Sequence, residues 1–201
     1  KGIKFIFHVS SNIDCQAINT KINRSVALNY FNIRVAHYGL TRADKIIAQT
    51  EYQSKLLSQN FNLESTVVPN ANVVPSKKSA KSTVPTILWI ANIKPFKQPE
   101  FFVEIARQCQ DLEANFIMVG RPNPRGSFQK NLEIDMSAVQ NLRYLGEKSL
   151  EQTNDLISNA SIFVNTSIFE GYPNTYIQAW MRGVPTVTLN CDVDNIIKTK
   201  R

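Results

Sequence analysis

Cysteine is scarce in this chain of 201 residues: Cys15, Cys109 and Cys191 are the only three, and they lie far apart. They form neither a CxxC pair nor a Cys/His spacing that suits a metal ion, so we expect no metal site. A sparse, odd set of thiols is typical of a reducing compartment, in which Cys109, on an apolar helical stripe, would be a small core residue.

Several other common signals are also missing. No apolar run approaches the ~20 residues that a membrane helix needs, and there is no signal peptide. The motifs GxGxxG and GxxxxGK[ST] of nucleotide-binding proteins, GxSxG of hydrolases and HExxH of metalloproteases are absent as well. With 43% hydrophobic and 19% charged residues, the chain can nevertheless form a sizeable core. It starts at Lys1 without a methionine and ends just after a strand-like run, so we expect a fragment.

Acidic residues are outnumbered, with 16 Asp and Glu against 23 Lys and Arg and a formal net charge of +7. Such a balance favours an anionic ligand, nucleic acid or a membrane surface. The basic residues are spread along the chain, and no basic run is interleaved with aromatic residues that could stack on bases. A solvated basic surface is therefore favoured over nucleic-acid binding, and no nucleic-acid partner is expected.

Short apolar runs alternate with segments of helical period along the whole chain. In its first part, apolar runs predict strands and the 3.6-residue period predicts helices, with Gly39 as a helix stop and Thr50 as a helix N-cap. The predicted order is strand 4–9, helix 24–38, strand 45–48, helix 51–58 and strand 66–68.

The same alternation resumes after residues 76–85, which are rich in Ser and Lys and are interpreted as a linker. Alternating strands and helices are typical of parallel, doubly wound α/β sheets, so we predict two Rossmann-like domains, residues 1–75 and residues 86–201, the first incomplete and the second truncated. The predicted order in the second is strand 86–91, helix 99–110, strand 116–119, loop 123–128, helix 131–139, strand 142–145, a helix from 150, strand 162–164, a helix from about 173 to 183, and strand 186–189.

In parallel sheets, ligands bind beyond the carboxyl ends of the strands. Two such domains joined by a linker would place a crevice between them, and we expect the strand ends of the second domain to converge there. Those ends are residues 91–92, 120–121, 146–147 and 165–170.

The stretch Ser167–Pro185 is the strongest candidate site. Glu170 lies in a turn between an apolar strand and a helix, and Pro173 suits the first turn of that helix. The amides of residues 174–176 would then face an anion such as a phosphate. Gln178 lies one helical turn after Asn174 on the same helix face, so Glu170 and Gln178 could both reach one ligand.

These residues carry a resemblance to a known family. The order S-x-x-E-G-Y-P-N, helix, G-V-P over residues 167–185 resembles the donor-binding signature of the group 1, family 4, retaining glycosyltransferases, which have the two-domain GT-B fold. The run RADKIIAQT at 42–50, followed by VVPN at 67–70, is similar to the end of that family's first domain. IANI at 90–93, with Lys97 five residues after Asn92, is similar to the opening of its second domain.

The resemblance implies a role for each matching position. Glu170 would contact the hydroxyls of the donor sugar and stabilise the developing positive charge, and Lys97 would neutralise the diphosphate leaving group. His8 would face the donor sugar and the acceptor. The implied donor-binding residues are Asn92, Gly120, Arg121, Ser167, Gly171, Tyr172, Pro173, Asn174 and Gln178, of which residues 171–174 form the turn whose amides hold the donor near its phosphates.

Two positions depart from the family's pattern. Asn92 stands where an arginine is usual, which leaves Lys97, with Arg121 or Lys94, to offset the charge of the diphosphate. Gln178 stands where a glutamate usually accepts hydrogen bonds from the nucleotide ribose. A glutamine carbonyl can still accept them, but without the negative charge.

The resemblance implies retaining, metal-independent transfer of a sugar from a UDP- or GDP-linked donor to a hydroxyl of a glycan or lipid-linked acceptor, with no cofactor. The leaving phosphate would take the acceptor's proton, so no protein base is needed. The implied setting is cytoplasmic assembly of cell-surface polysaccharide or glycolipid, and the basic balance is compatible with docking on the inner face of a membrane.

Residues 1–75 would then be the end of the acceptor-side domain and residues 86–201 most of the donor-side domain, so the 201 residues alone would be inactive. Two alternatives stay open. A GT-B-like nucleotide-sugar epimerase would need additional acid and base residues, for which His8 and Asp14 are the candidates. A non-catalytic module that binds a nucleotide sugar or a polymer is made more plausible by Asn92 and Gln178.

Overall fold

The computed structural model describes residues 2–15, 27–75, 81–122 and 127–199, which form two compact units. Unit 1 comprises Lys1–Ala71, Glu170–Tyr172 and Asp192–Arg201, and unit 2 comprises Asn72–Phe169 and Pro173–Cys191. The predicted domain bounds of 1–75 and 86–201 place the two short returning segments in the second domain instead. The first part of the predicted linker, residues 76–80, and residues 123–126 of the predicted loop lie outside the described residues.

Unit 1 is built on a parallel sheet of three strands in the order β1-β2-β3. Phe7 of the first strand pairs with Ile46 of the second, and Ile47 pairs with Thr66 of the third. Its elements are β1 (Ile6–His8), a 3-10 helix (Asn12–Cys15), α1 (Ala27–Arg42), β2 (Lys45–Ala48), α2 (Glu51–Phe61) and β3 (Thr66–Val67).

Helix α1 continues through Gly39 to Arg42, so the prediction that Gly39 ends it is wrong. A Cβ atom at position 39 would lie 2.8 Å from the ring of Phe7 on β1. The glycine therefore serves close packing of the helix against the sheet. A lone glycine within a helix is tolerated at a cost of about 1 kcal/mol relative to alanine, which the contact with Phe7 offsets.

Helix α2 begins as predicted and ends three residues later than predicted. The Thr50 hydroxyl accepts a hydrogen bond from the Gln53 N–H at 3.0 Å, which satisfies one of the free amides of the first turn. At the other end, Asn62 adopts a left-handed conformation with φ 54° and donates its N–H to the carbonyls of Leu57 and Ser58. Asparagine tolerates that conformation, so it can end the helix where a glycine is more usual.

The core of unit 1 lies where the two helices cover the sheet. Burial, followed by the nearby Asp14 carboxylate, raises the pKa of the Cys15 thiol to about 12, so this cysteine stays protonated and behaves as an apolar residue. The buried core residues are Val9, Cys15, Leu40, Ile46, Ala48 and Leu57.

Unit 2 is built on a parallel sheet of five strands in the order β6-β5-β4-β7-β8, and four helices alternate with them. This arrangement confirms the predicted doubly wound α/β class. The elements are β4 (Thr86–Ile90), a 3-10 helix (Pro95–Lys97), α3 (Pro99–Gln108), β5 (Asn115–Val119), α4 (Ser127–Ser137), β6 (Leu142–Tyr144), α5 (Leu150–Asn159), β7 (Ile162–Asn165), α6 (Asn174–Trp180) and β8 (Thr186–Thr188).

The central strand β4 is buried along almost its whole length, as expected for a parallel strand covered on both faces. The rings of Trp89 and Phe102 stack with their centroids 6.4 Å apart, and Phe116 packs at an angle on Phe102. Cys109 packs at the margin of this core, in agreement with its apolar interpretation.

The segment after β8 belongs to unit 1 and forms a 3-10 helix, Val193–Asn195, followed by α7, Ile196–Thr199. The Asp194 carboxylate accepts hydrogen bonds from the N–H groups of Glu51 and Tyr52, at 3.0 and 3.2 Å, in the first turn of α2. A negative charge there is favourable because it meets the positive end of the helix dipole. None of the helices within the described residues combines the length and the apolar content that crossing a membrane requires.

Candidate functional site

The carboxyl ends of the unit 2 strands lie together. The Ala91 N–H donates to the Val119 carbonyl at 3.1 Å, and the Gly120 N–H donates to the Gly146 carbonyl at 3.0 Å. A Cβ atom at position 120 would lie 1.7 Å from the Ala91 carbonyl oxygen, so only glycine fits there. The loops that follow β4, β5 and β6 are therefore in direct backbone contact.

Arg121 and Glu147 form an ion pair at these strand ends. The Arg121 Nε and Nη2 groups both donate to the Glu147 carboxylate, with the shortest contact at 2.6 Å. This hydrogen bonding lowers the pKa of Glu147 and raises that of Arg121. Arg121 is one of the two residues expected to compensate for Asn92, and in this structure it is paired with Glu147. Asn92 itself is exposed in the loop after β4.

Lys97 is the last residue of the 3-10 helix Pro95–Lys97, directly after the β4 loop. Its ammonium nitrogen lies 5.3 Å from the centroid of the Phe96 ring, and that of Lys94 lies 5.8 Å from the same centroid. Both distances allow cation–π attraction. The two ammonium groups are therefore held at one aromatic ring, and Lys94 is the cation that accompanies Lys97.

The loop after β7 is fastened to this lysine-bearing turn. The Thr166 hydroxyl donates to the Lys97 carbonyl at 2.6 Å, and the Ile168 N–H donates to the Phe96 carbonyl at 2.9 Å. The rings of Phe96 and Phe169 stack face to face, with centroids 5.0 Å apart and an interplanar angle of 8°. Residues 166–169, which precede Glu170, thus pack directly against residues 96–97.

Ser167 is buried at the base of the same loop. Its N–H donates to the Asn165 side-chain carbonyl at 3.0 Å, and its carbonyl accepts a hydrogen bond from the Cys191 thiol at 3.2 Å. The Tyr176 phenol donates to the Cys191 carbonyl at 3.1 Å, and its oxygen lies 3.1 Å from the Thr188 hydroxyl. These contacts join the ends of β7 and β8 to helix α6.

Helix α6 begins one residue later than predicted and ends at Trp180, before the predicted close at Arg182-Gly183. Pro173 is its buried N-cap, the exposed Asn174 is its first residue, and Gln178 is half-buried within it. The Tyr176 N–H donates to the Pro173 carbonyl at 3.0 Å, so it is engaged within the turn. Of the first-turn amides that the sequence assigned to an anion, this one is already used.

Glu170, Gly171 and Tyr172 group with unit 1, where a chain of amide side chains holds them. The Glu170 carbonyl accepts from Asn12 Nδ2 at 3.1 Å, and Asn12 Oδ1 accepts from Gln53 Nε2 at 3.1 Å. Gln53 is fully buried, and its Oε1 accepts from the Gln49 N–H at 2.8 Å. The backbone at position 170 is therefore fixed by the start of helix α2.

The close approach of the Ser10 carbonyl explains why the turn 170–172 contains a glycine, Gly171. A Cβ atom on Gly171 would lie 3.3 Å from the Ser10 carbonyl oxygen, tighter than most such contacts. Burial, followed by the charge of Asp194, raises the pKa of the neighbouring Tyr172 phenol. The Gln49 side chain donates to Asn70 Oδ1 at 3.0 Å, which brings together the two unit 1 segments, 42–50 and 67–70, that resemble the family.

The two acid/base candidates of unit 1 lie near its strand ends. His8 is exposed at the end of β1. The Asp14 carboxylate accepts the Ser11 N–H at 3.1 Å, as a cap of the 3-10 helix Asn12–Cys15. Within the described residues, no group of three or more His, Cys, Asp or Glu side chains is placed to hold a metal ion.

Sequence reasoning missed the residues that position the loops. Thr166 and Trp89 meet across 77 positions, and Asn12 and Gln53 meet across 41. The available signal was a polar group at a position expected to be buried. Trp89 carries an N–H on a mostly apolar strand, and Gln53 lies on the buried side of a helix. Both had to find partners on folding.

Residues 84–201 match the family described as "Glycosyl transferases group 1". That match covers more than half of the chain and includes the loops after all four strands described above. The chain belongs to this family. The predicted membership of the group 1 glycosyltransferases is thereby confirmed, as is the predicted α/β class with two parallel sheets.

Several relatives resemble this group 1 glycosyltransferase. An uncharacterized glycosyltransferase of Haemophilus influenzae is 26% identical over 165 residues, which are 77% of this chain and 44% of that protein. Anabaena HepE, solved in complex with UDP and glucose, is 16% identical with a TM-score of 0.72 over 92% of this chain and 52% of HepE. S. aureus TarM, solved with UDP, has the same identity and TM-score, over 94% of this chain and 37% of TarM. The chain thus spans about half or less of the length of these relatives.

Proposed function

We propose that this chain supplies the donor-binding half of a retaining, metal-independent glycosyltransferase that moves a sugar from a nucleotide sugar to a hydroxyl of a glycan or lipid-linked acceptor. One observation supports this most strongly: the Lys97 turn is packed directly against the loop that leads to Glu170. Two segments 69 residues apart in the chain are thus brought together: one carries the implied cation, and the other ends directly before the implied acid in the sequence.

The chemistry follows from where charge develops. The bond between the sugar C1 and the diphosphate oxygen breaks as a bond from C1 to the acceptor oxygen forms, and the acceptor's proton passes to the leaving phosphate. Negative charge on the diphosphate grows in this step, so a fixed cation such as the Lys97 ammonium lowers the barrier. Glu170 stabilises the positive charge on the sugar ring.

The departures at positions 92 and 178 change how the donor is held. Because Arg121 is paired with Glu147, Lys94 rather than Arg121 takes the place of the usual arginine beside Lys97. Gln178 accepts the ribose hydroxyls through its amide carbonyl. With Lys94 in place of the arginine, the family's pattern loses only the negative charge at position 178, so fewer charged protein groups face the nucleotide and we expect a donor affinity that depends weakly on salt.

UDP is the favoured nucleotide, with GDP as the alternative, because HepE and TarM were both solved with UDP. The setting we propose is cytoplasmic assembly of cell-surface polysaccharide or glycolipid, with docking on the inner membrane face through basic residues. Sedimentation with anionic lipid vesicles tests the docking. Equal recovery with neutral vesicles, or none with either, would contradict it.

The donor site is tested by thermal shift with UDP, GDP and their sugar conjugates on the 201 residues. Stabilisation by UDP compounds should be lost in Lys97→Ala and in Glu170→Ala. It should be kept in Lys55→Ala, a control at an exposed position of helix α2. A response that is unchanged by EDTA supports metal independence, and a requirement for added Mg²⁺ or Mn²⁺ contradicts it. No response to any nucleotide would favour a polymer-binding module.

Because the 201 residues alone are expected to be inactive, turnover is measured on a longer protein that contains them, and it separates the two enzyme classes. NMR of the sugar released or transferred from the donor reports the configuration at C1 and at the other ring carbons. A product with the donor's C1 configuration and unchanged ring carbons supports retaining transfer. Inversion at another ring carbon without transfer would instead support an epimerase that uses His8 and Asp14.

A further inference from the structure

The backbone of Lys97 is held by a hydroxyl that is completely shielded from solvent. Thr166 is fully buried, and its Oγ1 lies 2.6 Å from the Lys97 carbonyl oxygen and 2.9 Å from Trp89 Nε1. An indole N–H can only donate and a carbonyl can only accept. The direction of both bonds is therefore fixed: the Trp89 indole donates to the hydroxyl, and the hydroxyl donates to the Lys97 carbonyl.

This relay couples the central strand of unit 2 to the lysine turn. Trp89 lies on β4 and is 1% exposed, so its indole nitrogen is an immobile donor. Accepting a hydrogen bond polarises the hydroxyl and strengthens the bond that it donates. Thr166 and Trp89 are both shielded from solvent, so removing the hydroxyl leaves the Lys97 carbonyl without this donor.

The position of the carbonyl decides where the lysine side chain starts. The Lys97 carbonyl is at the end of the 3-10 helix Pro95–Lys97, and the next residue, Gln98, takes the left-handed conformation with φ 47°. From that point the lysine stem runs to an ammonium group 5.3 Å from the Phe96 ring centroid. In this turn the Thr166 hydroxyl is a contact from outside the turn that holds the Lys97 carbonyl.

From these contacts we infer that Thr166 is a positioning residue for donor binding: its hydroxyl, oriented by Trp89, holds the Lys97 backbone so that the ammonium group meets the donor diphosphate. This rests on the proposed function, because it assumes that Lys97 binds the diphosphate. Thr166 itself touches no reacting atom.

The experiment compares the affinities of the 201-residue chain for UDP and for uridine by calorimetry. Thr166→Val keeps the shape and removes the hydroxyl, and it should weaken UDP binding about three- to tenfold without changing uridine binding. Thr166→Ser should restore UDP affinity to within about twofold. Trp89→Phe, which removes only the orienting N–H, should weaken UDP binding less than Thr166→Val does.

A matched control is Thr186→Val. Among the described residues the Thr186 hydroxyl oxygen is buried without a hydrogen-bond partner, so its loss should leave UDP affinity unchanged. The decisive comparison is the double variant: in a Lys97→Ala background, Thr166→Val should cost no further UDP affinity, because the residue through which it acts is gone.

The results separate the two proposals. If Lys97→Ala weakens UDP binding but Thr166→Val does not, or if Thr166→Val weakens UDP and uridine equally, the positioning role is wrong and the donor site stands. If Lys97→Ala leaves UDP affinity unchanged, the donor-site assignment fails, and the positioning role fails with it. Amide exchange gives a readout without ligand: Thr166→Val should speed exchange at Lys97 and Gln98, and unchanged exchange there would contradict the relay.

Discussion

The basic side chains at the carboxyl ends of the unit 2 strands differ in the groups that they contact. Lys94 and Lys97 share the Phe96 ring, whereas the guanidinium of Arg121 is engaged by Glu147. An arginine held by a carboxylate presents a nearly neutral pair, so sequence position alone overstates its contribution.

The first prediction compares these cations. Lys94→Ala should weaken UDP binding about two- to fivefold, the range expected for one partly exposed charge. Removing the ion pair with Arg121→Ala and Glu147→Ala together should change the affinity by less than about twofold. Calorimetric titration with UDP measures both, and a larger loss in the double variant would assign the diphosphate to Arg121 instead.

A second prediction concerns Gln53, whose side chain links Gln49 to Asn12. Gln53→Leu removes the acceptor of the Gln49 N–H and the donor to Asn12, both at a buried site. We expect it to lower the free energy of unfolding by about 1–3 kcal/mol, measured by urea denaturation. Gln59→Leu, an exposed position on the same helix, is the control and should change it by less than about 0.5 kcal/mol.

At the scale of elements, the strands were the most predictable part of the chain. The runs at 86–90 and 162–165 are mostly apolar and buried, and their limits were predicted to within one residue. Helix limits were less certain because packing overrides local preference. Gly39 is a break by propensity alone, but it packs against Phe7, and the helix continues past it.

The motifs of the candidate site are recognisable in the sequence, whereas the contacts that support them are not. Glu170, Lys97 and residues 171–174 are recognisable because each lies at a fixed place in an ordered set of strand ends. The Thr166 hydroxyl, in contrast, gains its meaning from Trp89 and Lys97, which are 77 and 69 positions away. Such pairings depend on strand order, which periodicity does not specify.

The ion pair between Arg121 after β5 and Glu147 after β6 leads to a prediction about how stability depends on pH. In the folded chain the pKa of Glu147 lies below its ordinary value of 4.5, chiefly because of hydrogen bonds from Arg121. A lowered pKa stabilises the fold above the unfolded-state pKa, and that stabilisation is lost as the pH falls through the folded-state value. The difference in urea midpoint between the wild type and Glu147→Gln should therefore be largest above about pH 5 and should shrink on acidification below 4.5. A difference that grows on acidification would contradict this.

At the scale of the whole molecule, each of the two described units has apolar core residues of its own. The core of unit 2 is the larger and contains the aromatic residues Trp89, Phe102 and Phe116. A chain with two cores need not unfold in one step, and amide exchange can follow each core by its own strands.

Adjacent phenylalanines on α3 provide a direct test of the unit 2 core. Phe102 is fully buried and Phe101 is 44% exposed. Phe102→Ala should lower the free energy of unfolding by about 3–5 kcal/mol, and Phe101→Ala by less than about 1 kcal/mol. Urea denaturation measures both values, with amide exchange at β4 and β5 as the local readout. Equal losses in the two variants would show that the core is not where the structure places it.

The strand order of unit 2 has a consequence for how the chain is made. Ile87 on β4 pairs with Phe116 on one side and with Ile162 on the other. Synthesis proceeds at about 5–20 residues per second, so the apolar edge that β7 will cover stays open for roughly 4–15 seconds after β4 leaves the ribosome. An open, buried-type edge is a place where nascent chains associate with one another. We therefore expect the yield of this protein in cells to fall when that edge is left unprotected during translation.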